Sequence, residues 1–120
     1  MTFFRLLVVC VVGMISGCNG TEHEKLHITI LNSTPQKLTE AQVRFGKNIA
    51  RAGVLIPSSH KTHMFFESPV TSPAVLTWQD SSGIQHEEKL VLDKIYDPKK
   101  PGELLFTIEP TTVKVEFRPE

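Results

Sequence analysis

Beyond residue 24 the chain is a succession of short apolar–polar alternations, each closed by a turn cluster. That pattern leaves little besides a β-sheet protein. It is sharpest in Thr112–Arg118, where Val113, Val115 and Phe117 alternate with Lys114, Glu116 and Arg118. Successive strand side chains point to opposite faces, so such a run buries one face and wets the other. Lys25–Asn32 repeats the pattern, with Leu26, Ile28 and Ile30 against His27, Thr29 and Leu31. Thr39–Phe45 does so again, with Ala41, Val43 and Phe45 against Glu40, Gln42 and Arg44. Asn32-Ser33-Thr34-Pro35, Gly46-Lys47-Asn48 and Pro57-Ser58-Ser59 are the intervening turns, built from residues that tolerate or impose turn conformations.

The remaining strands are less regular. Ile49–Ile56 is expected to bend near Gly53. His60–Glu67 places Met64 and Phe66 on one face and Phe65 on the other. Ser68–Pro73 is a loop with two prolines. Ala74–Gln79 and Ile84–Leu92 flank a four-residue link, Asp80-Ser81-Ser82-Gly83, and form the clearest hairpin. Trp78, the single tryptophan, is expected to anchor the core. Asp93–Glu103 is the longest irregular segment, followed by strands Leu104–Glu109 and Thr112–Arg118. No helical stripe of ten or more residues follows residue 24. Seven or eight short strands at near-regular spacing predict an all-β, antiparallel sandwich, Ig-like or transthyretin-like, with a small barrel as the alternative.

The first 18 residues obey different rules. Met1–Arg5 carries one basic side chain, Leu6–Ile15 is apolar, and Ile15-Ser16-Gly17-Cys18 ends the segment on small residues and a thiol. This is the layout of an export signal, read as a helix. It is too short to cross a hydrocarbon core, which takes roughly 20 apolar residues. Ile15-Ser16-Gly17-Cys18 resembles the lipobox of bacterial lipoprotein precursors. The resemblance implies cleavage before Cys18, a diacylglycerol on its thiol, and a further acyl chain, such as palmitate, on the new amino group. Two or three acyl chains make a stable anchor where one is marginal. Asn19, rather than Asp, after the cysteine implies the outer membrane, facing the periplasm, in a Gram-negative cell. In a Gram-positive cell the same motif implies the outer face of the plasma membrane. The expected organisation is a signal peptide (1–17), a lipidated cysteine with a short tether (18–24), and a sandwich domain (25–120).

Removing residues 1–17 from the 120 leaves 103, one domain, large enough to bury a core without disulfides. Cys10 leaves with the signal and Cys18 is claimed by lipid. The precursor balances 13 basic against 13 acidic side chains, interspersed in runs no longer than two. A nucleic-acid partner needs a clustered basic face and is not expected.

Catalytic patterns are absent. Ser58, Ser59, Ser81 and Ser82 fall in turns, no Gly-x-Ser-x-Gly elbow occurs, and Glu87 and Glu88 are adjacent on a strand and point apart. His60-x-x-His63, with His86, is the best metal candidate. Strand residues three apart face opposite ways, so convergence on one ion is not expected, and no cofactor is implied. The Asp93–Glu103 loop, with Tyr96, Lys99 and Lys100, is the candidate partner-binding segment, because loops on a rigid scaffold commonly carry binding. Thr112–Glu120 reads as an edge strand protected by its charges and Pro119. The functional expectation is a non-enzymatic binding or scaffolding module at the cell envelope, with a protein partner. The alternatives are an immunity or inhibitor lipoprotein that neutralises a toxin or hydrolase, and a periplasmic metal or ligand carrier.

Overall fold

The computed structural model describes residues 26–64 and 66–120. The expected signal helix, Cys18, the tether and the facing of Phe65 lie outside the described residues. Eight strands follow one another: β1 Leu26–Asn32, β2 Leu38–Phe45, β3 Asn48–Leu55, β4 His60–His63, β5 Ala74–Gln79, β6 Gln85–Leu90, β7 Gly102–Ile108 and β8 Val113–Pro119. They form two four-stranded sheets, ordered β4-β1-β7-β8 and β3-β2-β5-β6.

The sandwich expectation holds. Neighbouring strands are antiparallel except β1 and β7, which run parallel from Leu26↔Gly102 to Asn32↔Ile108. In the immunoglobulin arrangement the first, second, fifth and fourth strands share one sheet. Here β1 and β4 share one sheet, and β2 and β5 the other. Of the two sandwich arrangements expected, the transthyretin-like one remains.

Alternation builds the core. Leu26, Ile28 and Ile30 of β1 and Leu104, Phe106 and Ile108 of β7 are buried, as are Ala41, Val43 and Phe45 of β2 and Leu76 and Trp78 of β5. Phe45 lies at the centre, its ring 6.2 Å from Phe106 and 5.6 Å from Phe66. Each large apolar side chain buried there contributes about 1.5–3 kcal/mol relative to exposure. Val113, Val115 and Phe117 of β8 are half-buried and pack on this cluster, as their alternation requires.

Two local features shape the strands. Between Leu38 and Ala41 the β2–β3 register slips. Glu40 (φ 50°) and Gly53 (φ 70°) take left-handed conformations there, and this is the bend expected near Gly53. β4 is shorter than the sequence suggests. It stops at His63, opposite Ile28, the chain turns at Met64, and the Phe66 N–H donates to Leu26 O (2.8 Å). Met64 is therefore exposed (63 %) while Phe66 packs on the core; they do not share a face.

Buried Asn32 ties down the loop after β1. Its Nδ2 donates to Gln36 O (2.9 Å) and Leu55 O (2.8 Å). Its Oδ1 accepts from the Thr34 N–H (2.9 Å) and hydroxyl (2.7 Å). With both ends of the amide satisfied, full burial of a polar side chain is sustainable.

Candidate functional site

The register of the β5–β6 hairpin decides which side chains meet. Trp78 stands directly opposite His86, and Gln79 opposite Gln85. Asp80 N–H donates to Ile84 O (3.0 Å), so the connecting loop is Ser81–Gly83, with Gly83 in a left-handed conformation (φ 85°). The four-residue link expected from the sequence would have paired Gln79 with Ile84 and put His86 opposite Thr77, on the outer face. One residue of register moves it to the inner face.

There the imidazole lies flat on Trp78, with ring centroids 5.1 Å apart and planes 7° from parallel. Trp78 is a buried anchor, as expected, but at a margin: β6 is an edge strand and His86 is its lid. His86 Nε2–H donates to Asp80 Oδ2 (2.8 Å). Asp80 Oδ1 accepts the backbone N–H of Ser82 (2.8 Å) and Ile84 (3.0 Å). One carboxylate thus closes the hairpin and orients the histidine. The hydrogen bond from His86, then those from the backbone, hold the Asp80 carboxyl below the ordinary carboxylate range.

Around this pair is a cleft of about 450 Å³, between the β5–β6 hairpin and the β7–β8 turn. Leu38, Trp78 and Ile108 are among its apolar lining; Asp80, His86, Glu88 and Glu109 are its ionisable groups, beside neutral polar side chains such as Gln36 and Thr112. Gln36 fixes one wall by accepting hydrogen bonds from the N–H and the hydroxyl of Ser81. Lys114 pairs with Glu109 at 3.4 Å, and no lysine or arginine lines the cleft. No hydroxyl or thiol is hydrogen-bonded to His86 among the described residues. The site therefore has an apolar floor, an oriented imidazole and a surplus of carboxylates.

The residues singled out in the sequence fall elsewhere. Cys18 lies outside the described residues. Tyr96 is half-buried and meets Phe117 edge-on, with centroids 5.3 Å apart, beside a second hollow of about 290 Å³ lined by Val70, Leu92 and Pro98 among others. Lys99 and Lys100 are exposed, on a turn where Asp97 accepts both backbone N–H groups. His60 and His63 sit on β4, where His63 Nε2–H donates to Arg51 O (2.5 Å). β4 and β6 border different sheets, so the structure does not bring His60, His63 and His86 together. No group of three potential metal ligands converges among the described residues.

One comparison has a result. The chain is similar to an NMR structure of a protein from Eubacterium rectale. The TM-score is 0.54 and the identity 15 %, over 81 % of this chain and 91 % of that one. At that identity the likeness speaks for the fold alone, and it agrees with the two-sheet architecture. No protein-family model and no curated protein sequence matches the chain.

Proposed function

We propose that the chain is a lipid-anchored envelope protein that binds a partner protein in the cleft between the β5–β6 hairpin and the β7–β8 turn, without chemistry on that partner. Ile15-Ser16-Gly17-Cys18 supports the anchor. The observation that carries the binding reading is the His86–Asp80 pair held over Trp78 inside a cleft. Aromatic, imidazole and carboxylate groups on a rigid floor suit recognition. Covalent catalysis by a histidine-activated side chain needs a hydroxyl or thiol within hydrogen-bond reach, and none is bonded to His86 among the described residues. With carboxylates from Asp80, Glu88 and Glu109, the cleft suits a basic segment of the partner.

The test is crosslinking in intact cells from a photoreactive residue at Thr111, exposed on the lining of the cleft, or at Arg51, on β3. A discrete adduct from position 111, lost in the His86→Ala variant, is the expected result. An adduct from position 51 alone, or one indifferent to His86→Ala, refutes the reading. In parallel, Cys18→Ala is expected to abolish acylation; an unchanged mature mass would refute the anchor.

A further inference from the structure

The sandwich has two dissimilar ends. Leu26, where β1 begins, pairs with Gly102, which pairs with Pro119. Phe45↔Asn48, Phe45↔Ala74 and Ala74↔Leu90 close the other sheet. The 64–73 and 91–101 connections therefore gather at this Leu26 end. Asn32↔Ile108 and Gln79↔Gln85 mark the opposite end, where the cleft opens beside Pro35, Asp80 and Thr111.

We propose that the Leu26 end is a membrane-docking surface, so that the cleft opens away from the bilayer. This rests on the reading that Cys18 carries the anchor. Eight residue steps separate Cys18 from Leu26 and reach at most about 28 Å, while seven-residue β1 is about 20 Å long. With the Leu26 end down, the distance to be spanned is well within that limit. Inverting the domain stretches the connecting segment over most of its reach and costs chain entropy.

Charge favours the same orientation. The Leu26 end exposes Lys47, Lys94, Lys99 and Lys100, offset by Glu67, Asp93, Asp97 and Glu120, and is close to neutral. The Asn32 end has Lys37 and Lys114, the latter paired with Glu109, against Asp80, Glu109 and the nearby Glu88, and its excess carboxylate is disfavoured at an anionic lipid surface. Exposed apolar side chains occur at both ends, with Met64, Val91 and Ile95 at one and Val54, Ile56 and Ile84 at or near the other. At the Leu26 end they stand beside lysines, a combination suited to the headgroup boundary. Hydrophobic exposure alone does not choose the end; chain attachment and charge do.

The test uses the full chain, processed in cells, purified and reconstituted in phosphatidylethanolamine–phosphatidylglycerol vesicles. A fluorescent probe is attached at Val91→Cys, Met64→Cys or Ile84→Cys, all exposed positions, and quenched by headgroup-labelled lipid. Quenching at 91 and 64 is expected to exceed that at 84 several-fold. Equal quenching at the three positions, or more at 84, overturns the proposal. Energy transfer between Val91→Cys probes on two chains without lipid quenching would put a second copy on this end and overturn it too. An unacylated mass would show that the anchor itself has failed, whereas an acylated chain without the contrast fails only the docking.

Discussion

The two long margins of the sandwich are built differently. Along one, β3 and β4 close the gap between the sheets. β3 turns Ala50, Ala52 and Leu55 toward the core, and His63 reaches from β4 to the backbone of Arg51. Small apolar side chains let the sheets approach there. Along the other margin, the inward positions of β6 are His86, Glu88 and Leu90. Glu88 resists loss of water, and His86 is already committed to Trp78 and Asp80. The apolar inner face of β8 is consequently only half covered, and the cleft lies between. Where an edge strand turns polar groups inward, a sandwich this small keeps a site open.

The largest effect expected is in the packing shared by the two margins. Phe45→Ala, at the fully buried centre, is expected to cost about 4 kcal/mol in urea unfolding. Trp78→Ala, though the larger deletion, is expected to cost less, about 3 kcal/mol, because His86 is the lid on one ring face. The reverse order would mean that the β6 margin is as closed as the β3 margin. Next is Asn32→Ala, which removes the side-chain partners of Leu55 O and of the buried Thr34 N–H, leaves Gln36 O to the Thr34 hydroxyl alone, and frees the loop that holds Gln36 against Ser81. A loss of about 2–3 kcal/mol is expected, with hydrogen exchange rising in 33–37 and 81–83.

A smaller effect tests the comparison from the other side. Glu88→Leu makes the open margin resemble the closed one. It is expected to stabilise the fold by up to about 1 kcal/mol while eliminating the partner adduct; destabilisation would show that Glu88 does not face the cleft. The smallest effect is with pH. The Asp80 carboxyl lies below its ordinary value of 3.8 in the folded protein, so its contribution is present above that value and lost as pH falls through the lowered one. Urea midpoints between about pH 2 and 5 are expected to fall less steeply in Asp80→Asn than in the parent; parallel curves would refute the assignment.

Much of the fold was legible because most strands bury one face. β1, β2 and β8 alternate cleanly, and their inward residues are the ones the structure packs. The pairing of β1 with β7 was not legible: it joins segments more than 70 positions apart, and no local pattern encodes its parallel sense. Nor was the turn at Met64, where tertiary demand for Phe66 beside Phe45 overrides a continuous strand reading. The site was hidden by a single step of register. Trp78 stood out as an anchor and His86 as a metal candidate, with Asp80 only a residue of the link, but Gly83 in a left-handed conformation shortens the loop to three residues, and that decides whether His86 faces solvent or Trp78. A glycine ending a short link between two strands was the available sign. The loop with Tyr96, Lys99 and Lys100 drew attention by composition, yet the structure uses Tyr96 to pack on Phe117.

The account depends most on the register that lays His86 over Trp78. The direct measurement is the proton NMR spectrum of the His86 ring, assigned by comparison with His86→Gln. Stacked on the indole, its imidazole protons are expected well upfield of those of the other histidines, with nuclear Overhauser contacts to Trp78, and Trp78→Leu is expected to return them to ordinary positions. Imidazole shifts indistinguishable from those of His60, with no contact to Trp78, would place His86 on the outer face and remove the site.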